Sequence, residues 1–236
     1  RNTMKKLIQV LLPLMISSQL FAIAGFGAYG NYDLLKYPSG SDQNSDGTLK
    51  IEYDGFDNAG GIGFFCYIDA IPFIDLEASF EIVGNYYKFT PYIASIAQTQ
   101  GEFPWGRVST YLTARKEILG LSIPFLAKAQ WYGGLGFNKH TVAPVMTLDM
   151  FKSAFETADI ESALDEDFSS NAAINKLSEY MMDNAAKISG FHLQTGMRAK
   201  LFILNAFVNA RYTIAKDVIP GKSGFPSIWF GLALGI

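Results

Sequence analysis

The chain of 236 residues has one cysteine, Cys66, and two histidines, His140 and His192. A single cysteine excludes an internal disulfide and leaves no cysteine-rich metal site; Cys66 is expected as a small apolar side chain on a strand. No G-x-S-x-G elbow, H-E-x-x-H pair or P-loop is present, so the common signatures of hydrolases, metalloproteases and nucleotide-binding enzymes are missing. Basic excess is missing too. Nineteen Lys and Arg against 22 Asp and Glu give a net charge of −3, which provides no footprint for nucleic acid. After residue 24 no run of about 20 apolar residues could cross a membrane as a helix. Yet 49% of the residues are hydrophobic, so the apolar side chains must be spread with another period.

The start of the chain reads as a leader. Lys5 and Lys6 form a charged start, Leu7 to Ile16 an apolar run, and Ala22-Ile23-Ala24 a small-x-small cleavage site. Residues 1–24 are therefore expected to be an upstream remnant and signal peptide, and 25–236 the mature domain.

In the mature chain the clearest period is two. From Ile74 to Tyr86 every even position is apolar or glycine, while Asp75, Glu77, Ser79, Glu81 and Asn85 fill most odd positions. Alternation of this kind predicts a β-strand, and at roughly 3.3 Å per residue it spans about 40 Å, enough to cross a bilayer on a tilt. Seven further alternating segments are predicted at 25–33, 60–69, 107–115, 125–140, 191–200, 204–214 and 228–236. Their connections alternate long and short, which puts short turns and both termini at one rim and long loops at the other.

One segment breaks the period. From Val142 to Ser189, apolar residues recur at helical steps (Ile174, Leu177, Met181, Ala185, Ile188), with Ser170 or Asn171 as cap. A shorter helix is expected from Thr147 to about Ala158. Acidic residues crowd Asp149 to Asp167, so the insertion 142–189 is expected to be an acidic, partly helical extracellular cap and a possible site for a protein partner.

Alternation fits a soluble lipocalin-like ligand-binding barrel with its apolar face inward as well as a membrane barrel with that face outward. Three features favour lipid outside. The apolar faces stay apolar along whole strands. The polar faces carry both signs, with Asp75, Glu77 and Glu81 against Arg107, Arg115, Lys128, Arg198 and Arg211, as a lumen charge network would. Aromatics gather near strand ends (Phe73, Tyr86, Tyr87, Phe89, Tyr92, Trp105, Phe125), where interface girdles belong. The expected fold is an all-β, antiparallel up-and-down transmembrane barrel of about eight strands, with a helical insertion in one extracellular loop.

On this pattern the chain resembles the small bacterial outer-membrane barrels of the OmpA and OmpX kind. The final run Ile228-Trp229-Phe230-Gly231-Leu232-Ala233-Leu234-Gly235-Ile236 is similar to the C-terminal signal through which the assembly machinery recognises such barrels, although it ends on isoleucine where they usually end on phenylalanine. The resemblance implies a cell outer-membrane location, outer-membrane lipid as surroundings and a structural or binding role without a cofactor.

Two weaker signals remain. Asp42, Asn44, Asp46 and Gly47 stand at the spacing of a calcium loop, but Tyr53 occupies the twelfth position, with Glu52 and Asp54 beside it. Asp42, Asn44, Asp46 and Glu52 are thus candidate ligands, with ordinary turn chemistry as the alternative. His140 and His192 fall on polar faces. Either could serve as general base beside a serine or Glu81 in an envelope-lipid-modifying barrel enzyme, or simply join the lumen network.

Overall fold

The computed structural model describes residues 24–69, 74–98, 100–123, 126–155 and 179–235. Residues 1–23 of the expected leader, the connection 70–73, and residues 156–178 of the insertion lie outside the described residues. So does the start of the expected helix at 171–178.

The strands in chain order are β1 (Ala24–Tyr37), β2 (Gly40–Gln43), β3 (Leu49–Tyr53), β4 (Phe56–Ile68), β5 (Asp75–Ile93), β6 (Ile96–Ala97), β7 (Gly101–Ile123) and β8 (Ala127–Val142). Helix α1 (Leu148–Phe155) follows, then β9 (Ala186–Leu201), β10 (Leu204–Ile214) and β11 (Gly224–Gly235). Eight of them, β1, β4, β5 and β7 to β11, pair antiparallel in a ring, with β1 joining both β4 and β11 and β5 joining both β4 and β7, so the sheet closes.

The register fixes the barrel's shape. Starting at Asp75, successive partners are Arg115, Gly134, Gln194, Arg211, Ser227, Asp33 and Ala59. Ala59 adjoins Gly60, the partner of Gly84, so the circuit returns to β5 at position 85, a shear of ten residues. Eight strands with that shear tilt by about 40° and enclose a radius of about 8 Å. Such an interior has room for side chains and little else.

Closure decides the two faces. Phe64 is 62% exposed and its neighbour Phe65 only 3%, and the same alternation runs round the ring. Phe26, Ile82, Leu112, Leu135, Leu193, Met197, Phe230 and Leu232 point outward, while Glu77, Glu81, Arg107, Arg115, His140, Arg198 and Arg211 are buried inside. The soluble alternative, with the apolar face inward, is therefore overturned. Outward apolar runs cover eight to ten residues, which at this tilt is a belt about 20–25 Å tall.

Several expected boundaries are corrected. Strand β7 runs from Gly101 to Ile123, not 107–115. On its loop side Pro104 is tolerated because β8 reaches only to Arg107, leaving the proline nitrogen on an open edge. On its other side a register shift between Glu117 and Leu119 inserts Ile118 and flips the parity, so the alternation breaks where the strand does not. Strand β9 begins at Ala186, so the expected helix to Ile188 ends earlier. Residues 179–183 are helical, and α1 forms within the shorter helix expected from Thr147. The polar loop 38–58 contains the β2–β3 hairpin, which pairs with the end of β5.

Candidate functional site

Inside the barrel, charged side chains form two layers. In the layer nearer the loops, Arg107 on β7 reaches across to β1 and β5. It donates from Nη2 to Asp33 Oδ2 at 2.6 Å and to Glu81 Oε1 at 2.8 Å. Glu81 also accepts from Arg211 Nη1 at 3.2 Å, from the Tyr29 hydroxyl at 2.9 Å and from the Tyr111 hydroxyl at 3.0 Å. The Arg211 guanidinium lies 3.7 Å above the Tyr111 ring. Desolvated charges of this kind are tolerated only when paired and hydrogen-bonded, and here two arginines meet two carboxylates.

The second layer sits toward the short-turn rim. Arg115 Nη1 donates to Glu77 Oε2 at 2.8 Å, its Nη2 reaches Asp69 Oδ1 at 3.2 Å, and Arg198 pairs with the other oxygen of Asp69. Beside this layer Tyr29, Phe65, Tyr67, Tyr132, Phe207 and Trp229 pack as an aromatic cluster.

Most of the expected network is therefore brought together, with exceptions. Lys128 pairs with Glu117 at 2.7 Å on an exposed part of the β7–β8 hairpin, because that hairpin continues past the end of β5 and out of the lumen. Asp75 stands half-buried at the start of β5 without an ion pair among the described residues. Asp33 is a central member that alternation alone did not single out.

Above the charged layers the mouth is apolar. Leu35, Tyr37, Ile51, Phe56, Tyr87, Phe89, Phe103, Trp105 and Phe225 form one buried core with Met146 and with Leu148, Met150 and Phe151 of α1. The expectation that Tyr87, Phe89 and Trp105 belong to a lipid-facing girdle is thereby corrected. They occupy inward positions, and the segment after β8 folds over them. Tyr86 does face outward. Two hydrogen bonds seat the cap: the Met146 N–H donates to the Tyr87 hydroxyl at 2.7 Å, and the Leu148 N–H to Asp42 Oδ2 at 2.9 Å.

That second bond gives Asp42 a role at the start of α1, where a carboxylate satisfies a free N–H and opposes the helix dipole. The other candidate calcium ligands have separate tasks. Asn44 Oδ1 accepts from the Leu49 N–H at 2.9 Å, and Asp46 Oδ1 accepts from the Thr48 N–H at 3.1 Å and its hydroxyl at 2.7 Å. Those bonds to Thr48, backbone first, hold the Asp46 carboxyl below its ordinary range. The turn's share of stability from this group is thus lost only as pH falls through that lowered value. Glu52 pairs with Lys50. Asp42 stands in register with Ile51 and Glu52 with Ser41, so these two carboxylates occupy opposite faces of the hairpin and do not converge. Replacing Asp42 by Ala is expected to weaken the cap by about 1 kcal/mol, seen as faster amide exchange at Leu148 to Phe151 with the barrel strands unchanged; equal exchange would mean that the carboxylate does not hold the helix.

A closed ring of strands with ion pairs inside and an apolar belt outside satisfies every requirement of the bilayer core, and this construction is that of bacterial outer-membrane proteins. The chain is a small closed β-barrel of the membrane-spanning kind. No family model matches it, and no curated protein matches it. Among solved structures it is similar to the outer membrane protein OprG of Pseudomonas aeruginosa, with a TM-score of 0.48 and 12% identity over 91% of this chain and 96% of that one. Neisserial surface protein A (NspA) gives 0.41 and 8% over 90% and 96%. Ail, the attachment invasion locus protein of Yersinia pestis, gives 0.39 and 8% over 91% and 97%. Likeness at this level adds nothing to the geometry of the chain itself.

The histidines lie in the barrel's interior. Arg107 donates to the Ser109 hydroxyl, so that hydroxyl donates onward to His140 Nδ1 at 2.8 Å, and Nε2–H donates to Asn138 Oδ1 at 3.0 Å. His192 Nε2 meets the Thr113 hydroxyl at 2.9 Å. The first chain has the residue types of a nucleophile, base and orienting amide. However, Ser109, Asn138 and both histidines are buried beneath the mouth core, and Ser109 is already engaged by a guanidinium.

Proposed function

We propose that this barrel is a closed membrane anchor, structural or binding in role, that presents its loop-side cap and hairpins at the cell surface and neither conducts solutes nor catalyses a reaction. The observation that carries this reading is the apolar core in the mouth, seated on two ion-paired layers. A solute would have to displace both an aromatic cluster and buried charge pairs. The Ser109–His140–Asn138 chain supports a positioning role, holding Arg107 between Asp33 and Glu81. The reading also assigns the outward belt to outer-membrane lipid, the β11 end to recognition by the assembly machinery, and the acidic insertion to a possible protein partner.

Reconstituted into planar bilayers, the folded protein is expected to show no sustained conductance above the bare membrane. Steady channels of uniform size would sink the closed reading. Substituting His140 by Gln is expected to leave envelope lipids chemically unchanged. Loss of a lipid modification in cells where the variant barrel still assembles would instead favour an enzyme.

A further inference from the structure

Past its last partner on β5, strand β7 has a neighbour on one side only. Asp75 pairs with Arg115, and β7 continues for eight residues, Lys116 to Ile123, along β8 but with no strand on its other side among the described residues. At the rise and tilt of these strands the hairpin projects roughly 15–20 Å beyond the start of β5 on the short-turn side. The β9–β10 hairpin differs. It closes at Leu201 and Leu204, which are flanked in turn by Ala127 and Leu234. The open loop-side edge of β7 differs too, because Pro104 interrupts it; the short-turn edge from Leu119 to Ile123 has no proline.

The two faces of this projection are unlike. Its outward face is apolar, with Leu119, Leu121 and Ile123 exposed beside Trp131 and Leu201, and Leu121 is 81% exposed. On the other face Ser122, Lys128 and Lys200 stand in one row across β7, β8 and β9. Lys128 pairs with Glu117, while Lys200 has no ion pair among the described residues. Serine is the short side chain of that row and stands at the free edge. A carboxylate placed beside it would come within reach of the lysines.

Lipid does not satisfy such an edge, because unpaired backbone N–H and C=O groups find no partner in hydrocarbon. A second copy in the same membrane does not bring its own β7 edge into register either. Two strands each tilted by about 40° to a shared normal cross at about 80° across a two-fold axis, far more than the roughly 20–25° between paired strands.

We propose that β7 from Leu119 to Ile123 takes an added strand from a partner protein on the short-turn side, an extended segment with apolar residues on one face and a carboxylate on the other. Backbone hydrogen bonds along the edge hold the segment, and its alternate side chains continue the outward apolar face. Its carboxylate, beside Ser122, gives Lys200 a counter-ion and shares Lys128. The inference rests on the membrane orientation given above.

The test uses the full protein in zwitterionic nanodiscs and the fluorescence anisotropy of a labelled peptide, Leu-Thr-Leu-Asp-Leu-Thr-Leu, with empty nanodiscs as background. Saturable binding is expected. Methylating alternate peptide nitrogens should weaken it about 100-fold, the loss of about three hydrogen bonds, and L121D/I123D should abolish it. Lysine in place of the peptide's aspartate should weaken it about fivefold, and K200E should reverse that preference. No binding above empty nanodiscs, or equal binding of the methylated peptide, would overturn strand addition. Equal binding of the aspartate and lysine peptides to both proteins would overturn the assigned chemistry. A dimer without peptide that L121D/I123D dissolves would make the occupant a second copy. Failure of Leu121→Cys, in a Cys66→Ala background, to react with a water-soluble maleimide in vesicles would make it lipid. Heat-dependent gel mobility of each variant reports separately whether the barrel itself has formed.

Discussion

Replacing Arg107 by Met is expected to cost about 3–5 kcal/mol of barrel stability, the range for removing one partner of a buried ion pair. The side chain is 1% exposed and holds both Asp33 and Glu81. Without it, two carboxylates share a desolvated space with Arg211 as the remaining cation of that layer. The loss is measured as the shift in the urea midpoint of the folded gel band in detergent. Adding Glu81→Gln should recover part of it, because the second change removes one of the stranded charges, so the two effects should fall well short of additive. A single-variant cost below about 0.5 kcal/mol, the scale of an ordinary surface change, would mean that the lumen pairs are screened by water and do not organise the interior.

The second large effect separates the two faces of one strand. Phe64→Arg places a charge within the lipid-facing belt and is expected to cost about 2–4 kcal/mol in a bilayer if it lies near the midplane. Phe65→Ala opens a cavity among Tyr29, Tyr67, Phe207 and Trp229 and is expected to cost about 3–5 kcal/mol in bilayer and detergent alike. Phe64→Ala should be nearly neutral in detergent. Refolding yields in vesicles and urea midpoints in micelles report both. If Phe64→Arg were tolerated in vesicles, the apolar face would not be in lipid.

Much of this was legible from period alone. The alternation at Ile74 to Tyr86 survives in the barrel with its even face outward and its odd face carrying Glu77 and Glu81. Where reading failed, the cause was local and physical. A single inserted residue at Ile118 reversed the parity of β7 and disguised its last turn-side residues as a loop. Pro104 reads as a strand breaker, yet it stands where β7 has only one neighbour. For Asp42, Asn44 and Asp46 the types and spacing alone left a cation site and ordinary turn chemistry both open, because the same short polar side chains serve either.

The split of each strand into an apolar and a polar face, and the presence of both charges on the polar one, were determined by the sequence itself, since a period of two is a property of consecutive residues; the strand count of the ring and which face turns inward were decided by closure. Which acid meets which arginine was decided only by closure. Asp33 and Arg107 are 74 residues apart and meet because a shear of ten residues sets their strands at the same height across an interior about 8 Å in radius. The same closure leaves Lys128 outside the lumen and turns Tyr87, Phe89 and Trp105 inward under α1. Contacts across a ring depend on its radius, tilt and register, and no window of neighbouring residues carries those quantities.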